Sequence, residues 1–183
     1  MSAYPDRSKK ALMVIDVQTG VVDYARNRNE IVGRIKNLVD QAREAKTDVI
    51  WVQHSEDDMP LDSDSWQIVP ELKPAYGERI VHKLWRSSFE ETDLEEILEQ
   101  LKIDHLIVTG AQSNYCVRHT IHAAIERGLD VTLVSDAHTT LDESWMGELI
   151  PAEMIVAELN RGFDGYELPD SEVVVTTAEL LNF

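Results

Sequence analysis

Cys116 is the only thiol in this chain of 183 residues. It sits in the segment Gly110-Ala111-Gln112-Ser113-Asn114-Tyr115-Cys116-Val117, just after the apolar run Leu106-Ile107-Val108-Thr109. A thiolate is a good nucleophile, and the N-terminus of a helix places positive partial charge next to sulfur. Free backbone amides in such a turn can also hold a developing oxyanion. The plain alternative is a buried packing cysteine, the commoner fate of a lone thiol. The glycine before and the helix after favour chemistry. Asp16 could take the thiol proton and return it to a leaving group; taken alone, it fits a strand-end carboxylate capping a turn just as well. Lys83 could steady thiolate and carboxylate as an ion pair, or orient a substrate. On its own it would pass for a solvated surface lysine. Both gain weight only together with Cys116.

The elements that must position these residues follow from periodicity. Ala11–Val17 is expected as a buried strand, and residues 30–45 as a helix with Ile31, Ile35, Leu38, Val39 and Ala42 on one face and Asn29 as N-cap. Further strands are expected at Val49–Gln53, Ile80–Leu84, His105–Thr109, Val131–Ser135 and Val173–Thr176, the last followed by a short terminal helix. Further helices are expected at Thr92–Lys102, with Thr92 and Glu95 as a capping box, at Val117–Arg127 and at Pro151–Arg161. Alternation of nearly all-apolar strands with helices predicts an α/β fold, a parallel sheet covered on both faces. Ligands in such sheets bind beyond the carboxyl ends of the strands. Asp16, His54, Lys83, Cys116, Asp136 and His138 all fall on that edge. The polar stretch Ser55–Gly77, with Pro60, Pro70 and Pro74, is long for a loop and is expected to form a flap or an oligomer contact.

The bulk properties bound the rest. The hydrophobic fraction is 43% and the charged fraction 28%, ordinary for a globular protein. A net charge of −17 argues against nucleic acid and against anionic membrane surfaces as partners. One cysteine excludes an intrachain disulfide and suits a reducing cytosol, so a cytoplasmic location is expected. The segment Met1–Lys10 has no signal-peptide character, and no window has the apolar length of a membrane helix.

Other motifs are weaker. His119 and His122 stand three apart on a helix, without a further ligand nearby. His54 with Asp57 and Asp58 lacks a clear additional ligand, and Asp62 with Asp64 lacks the rest of a calcium loop. No bound metal or other cofactor is expected. There is no Gly-rich phosphate loop and no Gly-x-Ser-x-Gly elbow. Gln18, Trp85 and Tyr115 are the expected substrate contacts. Arg86 and Arg118 hint at an anionic substrate, although solvated arginines are the default. Trp66 is expected in core packing or a pocket wall.

Ala11-Leu12-Met13-Val14-Ile15-Asp16-Val17-Gln18, then Lys83, then Gly110 through Val117 resemble the isochorismatase-like cysteine hydrolases. Val134-Ser135-Asp136-Ala137 resembles a further strand end of that family. The resemblance runs in order over nearly the whole chain. It implies one domain over 1–183, a three-layer α/β/α fold with a six-stranded parallel sheet, and a homo-oligomer, dimeric or larger. It implies a triad of Asp16, Lys83 and Cys116, an oxyanion hole from the backbone amides of Gln112 and Cys116, and a cis peptide between Ala111 and Gln112. The metal-binding nicotinamidases of the superfamily carry an aspartate and histidines after the second strand; Gln53–Pro60 here holds one histidine. Retention of Cys116 favours cleavage of a carbon–nitrogen bond of a small molecule through an acyl-enzyme. Vinyl ether or ester hydrolysis without covalent catalysis, and a catalytically silent binding or assembly protein, are the alternatives.

Overall fold

The computed structural model describes residues 3–183; Met1 and Ser2, the start of the polar N-terminal segment, lie outside the described residues. The chain alternates strand and helix. It runs β1 (Lys9–Ile15), α1 (Thr19–Val22), α2 (Arg28–Ala45), β2 (Asp48–His54), β3 (Arg79–Lys83), α3 (Leu94–Leu101) and β4 (Ile103–Ala111). A π-helical turn (Ser113–Val117) then leads into α4 (Arg118–Glu126). The remainder is β5 (Asp130–Thr139), β6 (Glu143–Trp145), β7 (Glu148–Ile150), α5 (Ala152–Phe163), β8 (Glu167–Leu168) and β9 (Ser171–Thr176). No helix among the described residues is long and apolar enough to cross a membrane.

The main sheet has the order β3-β2-β1-β4-β5-β9-β8. β3, β2, β1, β4, β5 and β9 pair in parallel, as expected from six apolar runs. The seventh strand, the two-residue β8, is a correction to the six-strand expectation: it pairs antiparallel with β9 at the sheet edge. At two residues, Glu167 and Leu168, it is too short to show a periodicity.

Each central strand is buried on both faces, which explains its unbroken apolar run. Ala11, Met13 and Ile15 of β1 pack beneath Leu94, Ile97 and Leu98 of α3, Ile121, Ala124 and Ile125 of α4, and Leu159 and Phe163 of α5. Leu12 and Val14 face the other way, onto Val32, Ile35, Leu38, Val39 and Ala42 of α2. Each aliphatic side chain so buried contributes about 1.5–3 kcal/mol of transfer free energy.

Several local expectations are corrected. α2 begins at Arg28 behind Asn27, which adopts a left-handed φ of 54° and makes no side-chain cap, so Asn29 is not the N-cap. The Thr92–Glu95 capping box does not form. Thr92 Oγ1 instead donates to the Ser88 carbonyl at 2.6 Å, and Arg127 holds Glu95. The helix expected from Val117 is preceded by the wider turn that carries Cys116. Residues after β9 form turns rather than a terminal helix. The hairpin of β6 and β7 was not visible in the pattern. Its two-residue loop, Met146-Gly147, has φ of 51° and 87°, a primed turn in which methionine stands where asparagine is usual.

The 55–77 stretch is stitched down rather than loose. Trp66, Val69 and Leu72 are buried, and Trp66 stacks on His82 at 5.4 Å between ring centroids. The backbone amides of Thr19, Gly20 and Val69 donate to Gln67, Ser65 and Val17 carbonyls at 2.9, 2.8 and 3.1 Å.

Gly110 sets how closely β4 approaches β1 at the functional edge. Its φ is 118°, and a Cβ there would lie 2.0 Å from the Ile15 carbonyl oxygen. That oxygen belongs to the peptide leading into Asp16, so no side chain can give way. Gly110→Ala should therefore destabilise the protein by more than about 3 kcal/mol in urea denaturation. A loss below about 0.5 kcal/mol would contradict this close approach.

Candidate active site

Three strand ends converge. β1 ends before Asp16, which turns out of the sheet with a left-handed φ of 50°, a conformation aspartate tolerates better than most residues. β3 ends at Lys83. β4 runs into the Ala111–Gln112 peptide, which is cis, and then into the π-turn holding Cys116. β1 and β4 are neighbours, and the connections run outward from them in opposite directions. This is the switch point where open α/β sheets place their ligands.

Lys83 Nζ lies 2.7 Å from Asp16 Oδ2 and donates to Cys116 Sγ at 3.2 Å and to the Trp85 carbonyl at 3.1 Å. The Lys83 and Asp16 side chains are 0% and 1% exposed, so this is a buried ion pair, not a surface one. Asp16 Oδ1 is buried without a hydrogen-bond partner. Burial works to lower the Lys83 pKa, but the charges of Asp16 and then Cys116 outweigh it, and the ammonium is held above its ordinary value. Burial, and then the Asp16 charge, push the Cys116 thiol up to about 12, with Lys83 opposing. The surroundings thus favour the thiol over the thiolate, with Asp16 beside it and the Lys83 cation already in contact.

Asp16 and Cys116 open onto a cavity of about 490 Å³, a size suited to a small molecule. Its wall includes Asp16, His54, Met59, Arg86, Gln112 and Cys116. The 55–77 stretch contributes Glu56, Asp58, Met59 and Ser65, so it does border the site. Burial, then the Lys83 charge, lower the His54 pKa. Among the described residues, no group of three His, Cys, Asp or Glu side chains is arranged to hold a metal ion.

The expected substrate contacts divide. Tyr115 lines the cavity, and the Arg86 guanidinium lies over its ring at 4.3 Å. A hydrogen bond to Glu143 is the first cause raising the Tyr115 hydroxyl above its ordinary pKa. Glu143 also accepts from Asn114 Nδ2 at 2.6 Å, so the unforeseen hairpin braces the turn that carries the thiol. Trp85 is half exposed, and its indole N–H donates to Glu91 at 2.9 Å; its carbonyl, not its ring, meets Lys83. Gln18 is fully buried, and it braces the loop. Its Nε2 donates to the carbonyls of His54 at 2.9 Å and Trp66 at 2.7 Å, and its Oε1 accepts from the His54 amide at 2.8 Å. Arg118 is tied to Glu158.

A second support was not anticipated. Ser113, the first residue of the π-turn, places Oγ 2.8 Å from His138 Nδ1, and His138 Nε2 lies 2.9 Å from Asn160 Oδ1. Asn160 Nδ2 donates to the Ser135 carbonyl at 3.0 Å, so its Oδ1 must accept. His138 therefore carries its proton on Nε2 and accepts from the Ser113 hydroxyl on Nδ1.

With this geometry, the family is unambiguous. The Isochorismatase domain model matches residues 10–151. A streptothricin hydrolase of Streptomyces noursei is 29% identical over 157 residues, 81% of this chain and 62% of that protein. An N-carbamoylsarcosine amidase of Arthrobacter is 46% identical over 70 residues, 38% of this chain and 26% of that protein. The crystal structure of an isochorismatase from Pseudomonas putida superposes with a TM-score of 0.84 at 28% identity, covering 96% of this chain and 93% of that one. The chain belongs to the isochorismatase family, and it spans 62% and 50% of the length of the two streptothricin hydrolases it matches.

The buried His138 makes a pH prediction. Burial lowers its pKa from 6.5 to about 4. Between those values the unfolded chain holds the proton and the folded one does not, so stability must fall as pH drops from 6.5 towards 4 and level off below. Native burial of this ring accounts for about 3 kcal/mol of that fall. Denaturation midpoints of wild type and His138→Gln across pH 4–7 should converge by that amount at the acid end. Parallel curves would mean that His138 is not buried neutral.

Proposed function

We propose that this protein hydrolyses a carbon–nitrogen bond of a small amide through an acyl-enzyme on Cys116. The observation that carries this is the single buried ammonium of Lys83 touching both Asp16 and Cys116. A thiol held neutral at rest needs a base at the moment of attack, and Asp16 Oδ1 is an unpartnered acceptor beside it. Two of the relatives bear the names of an amidase and of a hydrolase, which supports the same reaction class.

The steps follow from these positions. Sγ attacks the carbonyl carbon as its proton passes to Asp16. The carbonyl π electrons move to oxygen, and the backbone amides of Gln112 and Cys116 hold the oxyanion. Collapse of this intermediate breaks the C–N bond, and Asp16 delivers its proton to the departing nitrogen. Water then attacks the thioester and yields a proton to Asp16. The C–S bond breaks, the acid leaves, and the proton returns to sulfur. Lys83 stays protonated throughout. It keeps Asp16 in place and offsets negative charge as it moves between carboxylate and sulfur.

Cys116→Ala should remove ammonia release from a panel of small amides while the circular dichroism spectrum is kept. Turnover surviving in that variant would instead favour direct attack by water on an ester or vinyl ether. Asp16→Asn should lower kcat by about 10²–10⁴-fold, the range of general acid–base catalysis. An unchanged kcat would remove Asp16 from the proton path.

A further inference from the structure

Arg86 differs from most arginines of this acidic protein. Arg26, Arg28, Arg34, Arg43, Arg118 and Arg127 each meet a carboxylate of the chain. Arg86 meets none among the described residues, although Asp and Glu outnumber Lys and Arg by 34 to 17. It stands at the wall of the cavity that holds Cys116. The face of its guanidinium is occupied by the Tyr115 ring at 4.3 Å. A cation stacked in this way keeps its edge N–H donors free, in the planar fork that fits a carboxylate. The ring beneath it is itself held. Asn114, next in sequence, binds Glu143 through Nδ2 and accepts from Thr140 Oγ1 at 2.7 Å.

The other formal charges around the cavity are differently placed. Asp16 is neutralised by Lys83, and Glu56 lies 3.7 Å from His54. Glu56 and Asp58 come from the 55–77 stretch, whereas Arg86 stands with the nucleophile turn. An anionic group therefore has one favourable place in this cavity, at Arg86, and would be repelled by the loop side.

We propose that Arg86 is the specificity-determining residue of this site, and that the amide cleaved at Cys116 also carries a carboxylate, which Arg86 receives. This rests on the amidase reading above and names its substrate class. A carboxylate held there by two N–H donors fixes the rest of the molecule in orientation, which is worth more to the reaction than the ion pair alone.

The sole cysteine supplies the test. Iodoacetate and iodoacetamide have the same size and leaving group and differ in charge. In both reactions Sγ bonds to the methylene carbon, iodide leaves with the bonding pair, and the thiol proton is lost to buffer. The ratio of their alkylation rates at Cys116, read by intact mass, therefore reports the charge each meets in the cavity. Arg86→Gln should lower the iodoacetate-to-iodoacetamide ratio by about two- to fivefold, the scale of one partly exposed charge pair. Arg86→Lys should restore part of it, and raising salt should compress the wild-type ratio towards that of Arg86→Gln. The same ratio in wild type and Arg86→Gln would overturn the inference. That result leaves the amidase reading standing, because the latter falls only to turnover surviving in Cys116→Ala.

Discussion

One buried ammonium organises this molecule. Taking Lys83 out of water costs several kcal/mol, and only close negative partners offset that cost. The negative partner is Asp16, 2.7 Å away, and the sulfur of Cys116, 3.2 Å away, accepts a further hydrogen bond from the ammonium. Neither is near it in the chain. The three meet because β3, β1 and β4 end at one edge of one sheet, in a register that puts His54 opposite Lys83, Ile15 opposite Val52 and Ile15 opposite Gly110. A register slip of one residue would turn each of these side chains to the other face of the sheet and strand the charge.

Much of the surrounding structure protects that meeting. Gly110 allows the nucleophile strand to press against the peptide before Asp16. Ser113, His138 and Asn160 hold the start of the turn from one side, and Asn114 with Glu143 holds it from the other. Gln18 ties the end of β2 to the 55–77 stretch and so closes the cavity wall. These polar groups are buried or half-buried, and they are hydrogen-bonded to one another, so they fix geometry without leaving orphaned donors. Arg86 stands apart from this pattern because its charge faces the cavity.

The parts legible in the sequence are those with a local signal. Apolar runs without alternation announced the doubly covered parallel sheet, the strand-edge rule put Asp16, Lys83 and Cys116 among six residues of one edge, and the resemblance to the family drew those three together. The hidden parts depend on contacts distant in sequence. Gln18 is expected as a substrate contact, and its buried amide bonds the His54 and Trp66 carbonyls, 36 and 48 residues away, which no local pattern announces. His138 looked like an edge residue of uncertain role, and only tertiary packing shows it bonded to Ser113 and Asn160. Helical periodicity could not reveal the π-turn, and Met146 disguised the hairpin turn. The position of Arg86 over Tyr115 has no sequence signature, although the type of residue suggested an anion.

The central claim is that the sulfur of Cys116 becomes covalently bonded to the acyl part of an amide. The most direct measurement is intact-protein mass spectrometry of an acid-quenched turnover mixture, followed by peptide mapping. An adduct of acyl mass is expected on the peptide containing Cys116, formed as ammonia or amine is released and lost as acid appears. Turnover at a normal rate with no adduct at any quench time, under conditions that make deacylation slow, would contradict it.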